Sequence, residues 1–327
     1  WRTQIMNEIE QYYEKFRAEL AYPFEYHNID YIGVCLDADA SVPCRFKMYW
    51  SDHCSAPFDH WLTRWLKEHR MLQYIETVEH SGRTGKYQSD MRIGSRTDSN
   101  MQHLFSALAD HEPAFSQNEE LIRTISKMPV TTGKNYLYAS LYFLGAIYTG
   151  TDSSEMLKFH WINRFCQDPD ALSENIWYND SIYLEYLRAL PDEHYLLPAR
   201  HAEAVLKACS CHLWMTGLDV MGNGWKKYKL YVKYFHDLCP VLSGLFSQEA
   251  PQRDGIQGED LQGDGMQGKG LHALAGKADR LCRWLRTHPE LEPAGCAFCL
   301  DTNGKYSVNL YYGIQESYFE NGHNQRQ

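Results

Sequence analysis

Long hydrophobic runs are missing from this 327-residue chain: no stretch approaches the roughly 20 apolar residues of a membrane-spanning helix, so no membrane partner is expected. An excess of positive charge is missing as well. With 32 basic against 42 acidic residues the formal net charge is −10, which speaks against a general nucleic-acid surface and makes any cationic cluster a local feature. Glycine-rich phosphate loops are absent: there is no GxxxxGK[ST] and no GxGxxG opening a helix, so nucleotide binding of those kinds is excluded. A DDxxD pair is also lacking, so a diphosphate would have to be met mainly by side chains and not through a magnesium cage. Cys296 and Cys299 form one CxxC, but no second CxxC or HxxxH lies at zinc-ligand spacing, and Cys209 and Cys211 are too close for the usual knuckle. The ten cysteines therefore read as reduced thiols used as small hydrophobes, with no metal site. The segment from Trp1 has the pattern of an amphipathic helix and not of a signal peptide, so a cytoplasmic home is expected.

What is present is a repeated hairpin. "KKYKLYVKYF", residues 226 to 235, places Lys227, Lys229, Tyr231 and Lys233 on one face of a strand and Tyr228, Leu230, Val232 and Tyr234 on the other. It is preceded by a second strand and a Gly222-Asn223-Gly224 turn, and "CAFCLDTNGKYSVNLYYGI" repeats the design around Asn303-Gly304. Looser turns at 150 to 154 and 39 to 43 join two further strand pairs, and around "KYQSDMRIGSR" only the second strand of a fifth pair is clear. Helical periodicity fills 2 to 20, 56 to 71, 101 to 127 with a break at Glu112-Pro113, 180 to 207 with a break near Pro191 to Pro198, 236 to 247, and 271 to 287.

Helix, two strands, helix, with no β-α-β spacing, argues against a doubly wound parallel sheet. About ten antiparallel strands can close into a barrel, which removes the sheet edges, while the helices clothe the outside. The expectation is an α+β fold, a ten-stranded antiparallel β-barrel surrounded by α-helices, as one domain over 1–327. The Gly/Gln-rich stretch at about 251–270 reads as a flexible insertion.

The other strands carry matching decorations. Arg45, Lys47 and Tyr49 share a face, Lys158 and His160 share another, Asn309 and Tyr311 a third, and Arg92 lies in "DMRIGSR". In an acidic protein, cations and phenols on strand after strand suggest a collar around one end of a lumen. Such a collar suits a multiply charged oxyanion, of which diphosphate is the obvious one. With 23 tyrosines and 9 tryptophans, the chain can also line a lumen with rings that shield an allylic carbocation and exclude water.

In "GVCLDADASVPCRFKMYW", "MRIGSRTDSNMQHLFSALAD", "LWMTGLDVMGNGWKKYKLYVKY" and "KYSVNLYYGI" the sequence resembles the ABBA prenyltransferases, whose α-β-β-α units close a ten-stranded barrel, and among them the cyanobactin peptide prenyltransferases. The resemblance implies that Arg45, Arg92, Lys229 and Tyr231 grip diphosphate, with Tyr311 on the last strand. Lys47, Lys158 and His160 complete the expected diphosphate set. Asp37 falls where the family keeps an acidic residue near the acceptor, and is the expected catalytic residue. Trp214 and Met215 are candidates for the floor of the prenyl pocket, Met215 by the family pattern. The chain departs from that pattern with Asn309 and Asp90 at positions where relatives carry basic side chains.

The expected activity is transfer of a prenyl group, dimethylallyl by expectation, from its diphosphate co-substrate to a tyrosine, tryptophan, arginine or similar side chain of a ribosomal peptide, linear or cyclic, by a monomer. Magnesium is compatible with assisting the leaving group. The alternatives left open are a prenyltransferase for small aromatic or indole molecules and a non-catalytic barrel that binds an anionic lipid.

Overall fold

The computed structural model describes residues 2–19, 29–38, 44–51, 60–80, 87–132, 135–149, 152–166, 180–209, 211–233, 238–249, 264–289 and 291–314. In chain order these form α1 (Arg2–Glu19), β1 (Ile29–Asp37), β2 (Arg45–Ser51), α2 (Trp61–Glu68), β3 (Leu72–His80), β4 (Tyr87–Ile93), α3 (Asp98–His111), α4 (Pro113–Ser116), α5 (Glu119–Ser126), β5 (Pro129–Thr132) and β6 (Asn135–Tyr148). Then follow β7 (Met156–Cys166), α6 (Asp180–Arg188), a 3-10 turn (Glu193–Tyr195), α7 (Leu196–Ala208), β8 (His212–Met221), β9 (Lys226–Lys233), α8 (Leu238–Glu249), α9 (Asp264–Leu285), β10 (Leu291–Asp301) and β11 (Tyr306–Ile314).

Among the described residues all strands join one sheet in the order β4-β3-β2-β1-β11-β10-β9-β8-β7-β6-β5. The order closes because β6, paired with β7 along one edge, pairs with two strands along the other. Its first residues, Asn135 to Tyr138, face β5, and Phe143 to Tyr148 face β4. Ten strands thus form a continuous antiparallel barrel, and β5 is a short eleventh strand laid beside the long β6. A closed ring of this size leaves no edge and encloses more space than its own side chains fill.

Turn chemistry fixes the hairpins. Gly224 (φ +84°) and Gly304 (φ +76°) hold the left-handed conformation that a side chain resists, and Asp301 Oδ1 accepts from the backbone of both Asn303 and Lys305 at 2.9 Å. Alternation then sorts the side chains. On β9, Tyr228, Leu230 and Val232 point outward into the layer packed by Ala202, Val205 and Leu206 of α7. On β1, Ile32, Val34 and Leu36 belong to the same outer core as Ile9, Tyr13 and Phe16 of α1 and Leu281 and Trp284 of α9. A second, separate cluster of Phe143, Met215, Tyr231, Ala297 and Cys299 lies inside the barrel. The cationic face of β9 consequently faces the lumen.

Four features differ from the sequence reading. β3, which was not legible, fills Leu72–His80, and β5 was not anticipated. The helix expected to run to residue 71 stops at Glu68, because Arg70 adopts φ +55° and a 6→1 bond from Met71 N to Leu66 O closes the end. The stretch expected to be insertion through residue 270 already belongs to α9 from Asp264: the buried stripe Leu274, Ala278 and Leu281 provides packing that outweighs the glycines of its first turns. Residues 251–263 and the 39–43 turn lie outside the described residues.

Candidate active site

The inward faces enclose a cavity of about 180 Å³, lined by Lys47, Lys158 and Lys229 with Glu76 and Asp90, and by the rings of Tyr49, Tyr74, Phe143, Trp214, Tyr231 and Tyr311. Strand register sets these groups on adjoining rungs. Lys158 stands beside Gly145 and Asp219, and its rung continues to Lys227 on β9; His160, one rung on, stands beside Phe143 and Gly217, and its rung continues to Lys229, with Tyr231 one rung beyond. A charged zone therefore passes directly into an aromatic one.

Two kinds of cation occupy the lumen. Lys229 is neutralised by Asp219, with Nζ to Oδ2 at 2.5 Å. Burial alone would disfavour the charge of Asp219, but Lys229, Lys158 and His160 outweigh it and hold its carboxyl below the ordinary range. Lys47 and Lys158 have no hydrogen bond or ion pair among the described residues. Burial is the main cause that pushes Lys158 down to about 7 and Lys47 down to about 8, and repulsion from neighbouring lysines adds to it. Two amines held this way are poised to regain full charge when an anion arrives.

The aromatic zone is hydrogen-bonded to itself. His160 Nε2 lies 3.0 Å from Tyr231 Oη, Tyr231 bonds to Tyr311, and Tyr311 bonds to Tyr49. All three phenols are held well above their usual pKa, chiefly by burial, so they remain protonated donors. Glycines make room for the rings: a Cβ at Gly217 would stand 3.0 Å from the Tyr231 ring, and one at Gly33 would stand 3.0 Å from the Tyr49 ring. Register shifts serve the same end. One between Leu213 and Met215 lets both Trp214 and Met215 line the cavity, and one between Leu141 and Phe143 does so for Tyr142 and Phe143.

Of the residues expected from sequence, Lys47, Lys158, His160, Lys229, Tyr231, Tyr311, Trp214 and Met215 line this one cavity. Three do not. Arg45 faces inward but lies at the β1–β2 hairpin end, its Nη2 2.8 Å from Asp37 Oδ2 and 3.4 Å from Cys35 Sγ. Asp37 is buried at that same end, also within 3.4 Å of Lys305 Nζ, and its carbonyl accepts from Lys277 Nζ at 2.7 Å. Arg92 shares a face of β4 with Gln88 and Asp90 but is not among the cavity-lining residues, and its guanidinium carbon lies over the Tyr142 ring, 2.9 Å from the ring centre. Arg45 and Asp37 therefore belong to one ion pair.

Sequence reasoning missed Glu76 and Asp90, which face each other across β3 and β4 and line the cavity. Asp90 accepts from Gln88 Nε2 at 3.2 Å and lies over Gly145, where a Cβ would collide with it. The unread strand hid Glu76. Asp90 had been visible only as an acid where the resembling family carries a base.

The chain superposes on the crystal structure of AnaPT from Neosartorya fischeri with a TM-score of 0.51 and 10% identity, covering 96% of this chain and 89% of that one. It superposes on the crystal structure of the NotF prenyltransferase with a TM-score of 0.51 and 9% identity, covering 88% and 80%. The fold is that of the ABBA barrels. No family model and no curated protein matches the sequence.

Proposed function

We propose that the protein is a prenyltransferase that takes a dimethylallyl group from its diphosphate and attaches it to a side chain of a peptide. The observation that carries this reading is that, among the described residues, buried Lys158 and half-buried Lys47 make no hydrogen bond or ion pair in a cavity that is otherwise largely aromatic. A diphosphate bound there would receive charge-assisted hydrogen bonds from both amines and from Lys229, which favours departure of the leaving group. The prenyl chain would then lie among Tyr231, Tyr311, Trp214 and Met215, where π faces stabilise an allylic cation and water is excluded. Among the described residues no three His, Cys, Asp or Glu side chains converge as metal ligands, so magnesium would arrive on the diphosphate oxygens.

The peptide acceptor rests on the resemblance of the quoted segments. Glu76 and Asp90 add two carboxylates to the cavity, which suits an acceptor with a cationic side chain such as arginine. The test is incubation with dimethylallyl diphosphate and peptides containing arginine, tyrosine or tryptophan, read by mass spectrometry beside the free amino acids. The expected result is the gain of one isoprene unit on a peptide, with the free amino acid a poorer substrate. Transfer to free indoles alone would replace the peptide by a small aromatic acceptor, and diphosphate binding without any transfer would make the barrel a carrier.

A further inference from the structure

His160 stands where the charged zone of the lumen meets the aromatic zone. On β7 it follows Lys158 by one rung, and its register partners are Phe143 on one side and Gly217 on the other. It is 7% exposed and lines the cavity. The ring orientation is fixed from two directions. Nε2 is held 3.0 Å from Tyr231 Oη, and the Cδ2 edge rests over Gly217, where an added Cβ would be 3.4 Å away. The opposite edge, carrying Nδ1, is turned away from β8, and Nδ1 is buried without a hydrogen-bond partner among the described residues.

We propose that His160 is the base that takes the proton from the prenyl acceptor, through Nδ1, with Nε2–H donating to Tyr231 Oη. The assignment rests on the prenyl-transfer reading above. It differs from the diphosphate-ligand role expected from sequence: a ligand would donate an N–H to the anion, whereas here the nitrogen without a partner accepts the proton of the acceptor. The pKa of the ring is lowered to about 4, chiefly by burial with Lys229 and Lys158 adding to it, and Asp90 and Asp219 oppose them only in part. A neutral ring with one nitrogen satisfied and the other bare is the form a general base requires.

The step balances as follows. The C–O bond between prenyl carbon and diphosphate breaks, and the electron pair leaves with diphosphate. A bond forms from the acceptor atom to the prenyl carbon. The proton on that acceptor atom passes to Nδ1, and the imidazolium, next to an anion just released, returns it to the diphosphate as the products leave. Formation of the imidazolium beside two lysines is unfavourable in the empty lumen. It becomes favourable only with diphosphate present, so proton removal follows donor binding.

Two measurements on the full chain test this. In His160→Gln, the amide can keep the contact to Tyr231 but cannot accept a proton. Transfer is expected to fall about 100-fold or more, with KM for dimethylallyl diphosphate within about threefold. Hydrolysis of the donor by water persists, because ionisation does not need the base. Loss of transfer and hydrolysis together with a tenfold rise in KM would make His160 a diphosphate ligand and overturn the proposal. The second measurement needs no turnover: nitrogen NMR of histidine-labelled protein should show His160 neutral at about pH 7, protonated at Nε2 and bare at Nδ1. The opposite tautomer, or an imidazolium, would also overturn it. Absence of wild-type transfer, with that tautomer present, would remove the prenyl-transfer reading and the base role with it.

Discussion

Lys158 on β7 and Lys229 on β9 stand one rung apart on either side of β8, yet among the described residues the first makes no ion pair and the second makes one with Asp219 at 2.5 Å. A buried amine without a partner costs stability, because burial favours its neutral form. Lys158→Met should therefore stabilise the free protein by roughly 1–3 kcal/mol in chemical denaturation while weakening donor use at least tenfold. A destabilised Met variant would mean that Lys158 holds the barrel together and is not kept for a ligand. Asp37 is the converse case. Tied to Arg45 and Lys305, it is read here as a clasp at the hairpin end. Asp37→Asn should lower stability by about 1–2 kcal/mol, discounted because both cations are half exposed, and reduce transfer less than tenfold. Abolished transfer at unchanged stability would return Asp37 to the acceptor.

Strands make most of this site legible in the sequence, because period-two alternation alone places Lys47, Lys158, Lys229, Tyr231 and Tyr311 on inward faces once a barrel is assumed. What alternation could not reveal was depth along the strand. Arg45 shares a face with Lys47 but lies beyond the cavity, since register and stagger, which no single strand encodes, set the level of each rung. Nor does alternation foresee bulges, which let the adjacent residues Trp214 and Met215 both line the cavity. β3 was missed because "LQYIETVEH" mixes charged with apolar residues on both faces: Glu76 and Tyr74 point to a lumen that itself tolerates charge. Helix ends failed where the signal was atypical, as with arginine in place of glycine at the left-handed position after α2. At the element scale the bulged end of β8 sets the room beside Tyr231. Met215→Gly should improve use of geranyl over dimethylallyl diphosphate at least several-fold, and an unchanged donor preference would show that Met215 only packs.

The whole molecule carries a net charge of −10 around a lumen that concentrates lysines. Closure makes this possible, because a ten-stranded ring holds the amines in a low-dielectric interior away from the acidic surface. It also makes the lumen a proton store. Lys47 and Lys158 are depressed from 10.5 to about 8 and about 7, so around pH 8 both are partly neutral in the free protein. An anion bound between them restores their ordinary range, and binding must then take up protons. The most direct test of this account is isothermal titration, at about pH 8 in two buffers of different ionisation enthalpy, of a dimethylallyl diphosphate analogue that cannot ionise. The wild-type protein should bind it with uptake of protons, and Lys158→Met should bind it at least tenfold more weakly with less uptake. Equal affinity and equal proton uptake in the two proteins would contradict a diphosphate site built on the lumen lysines.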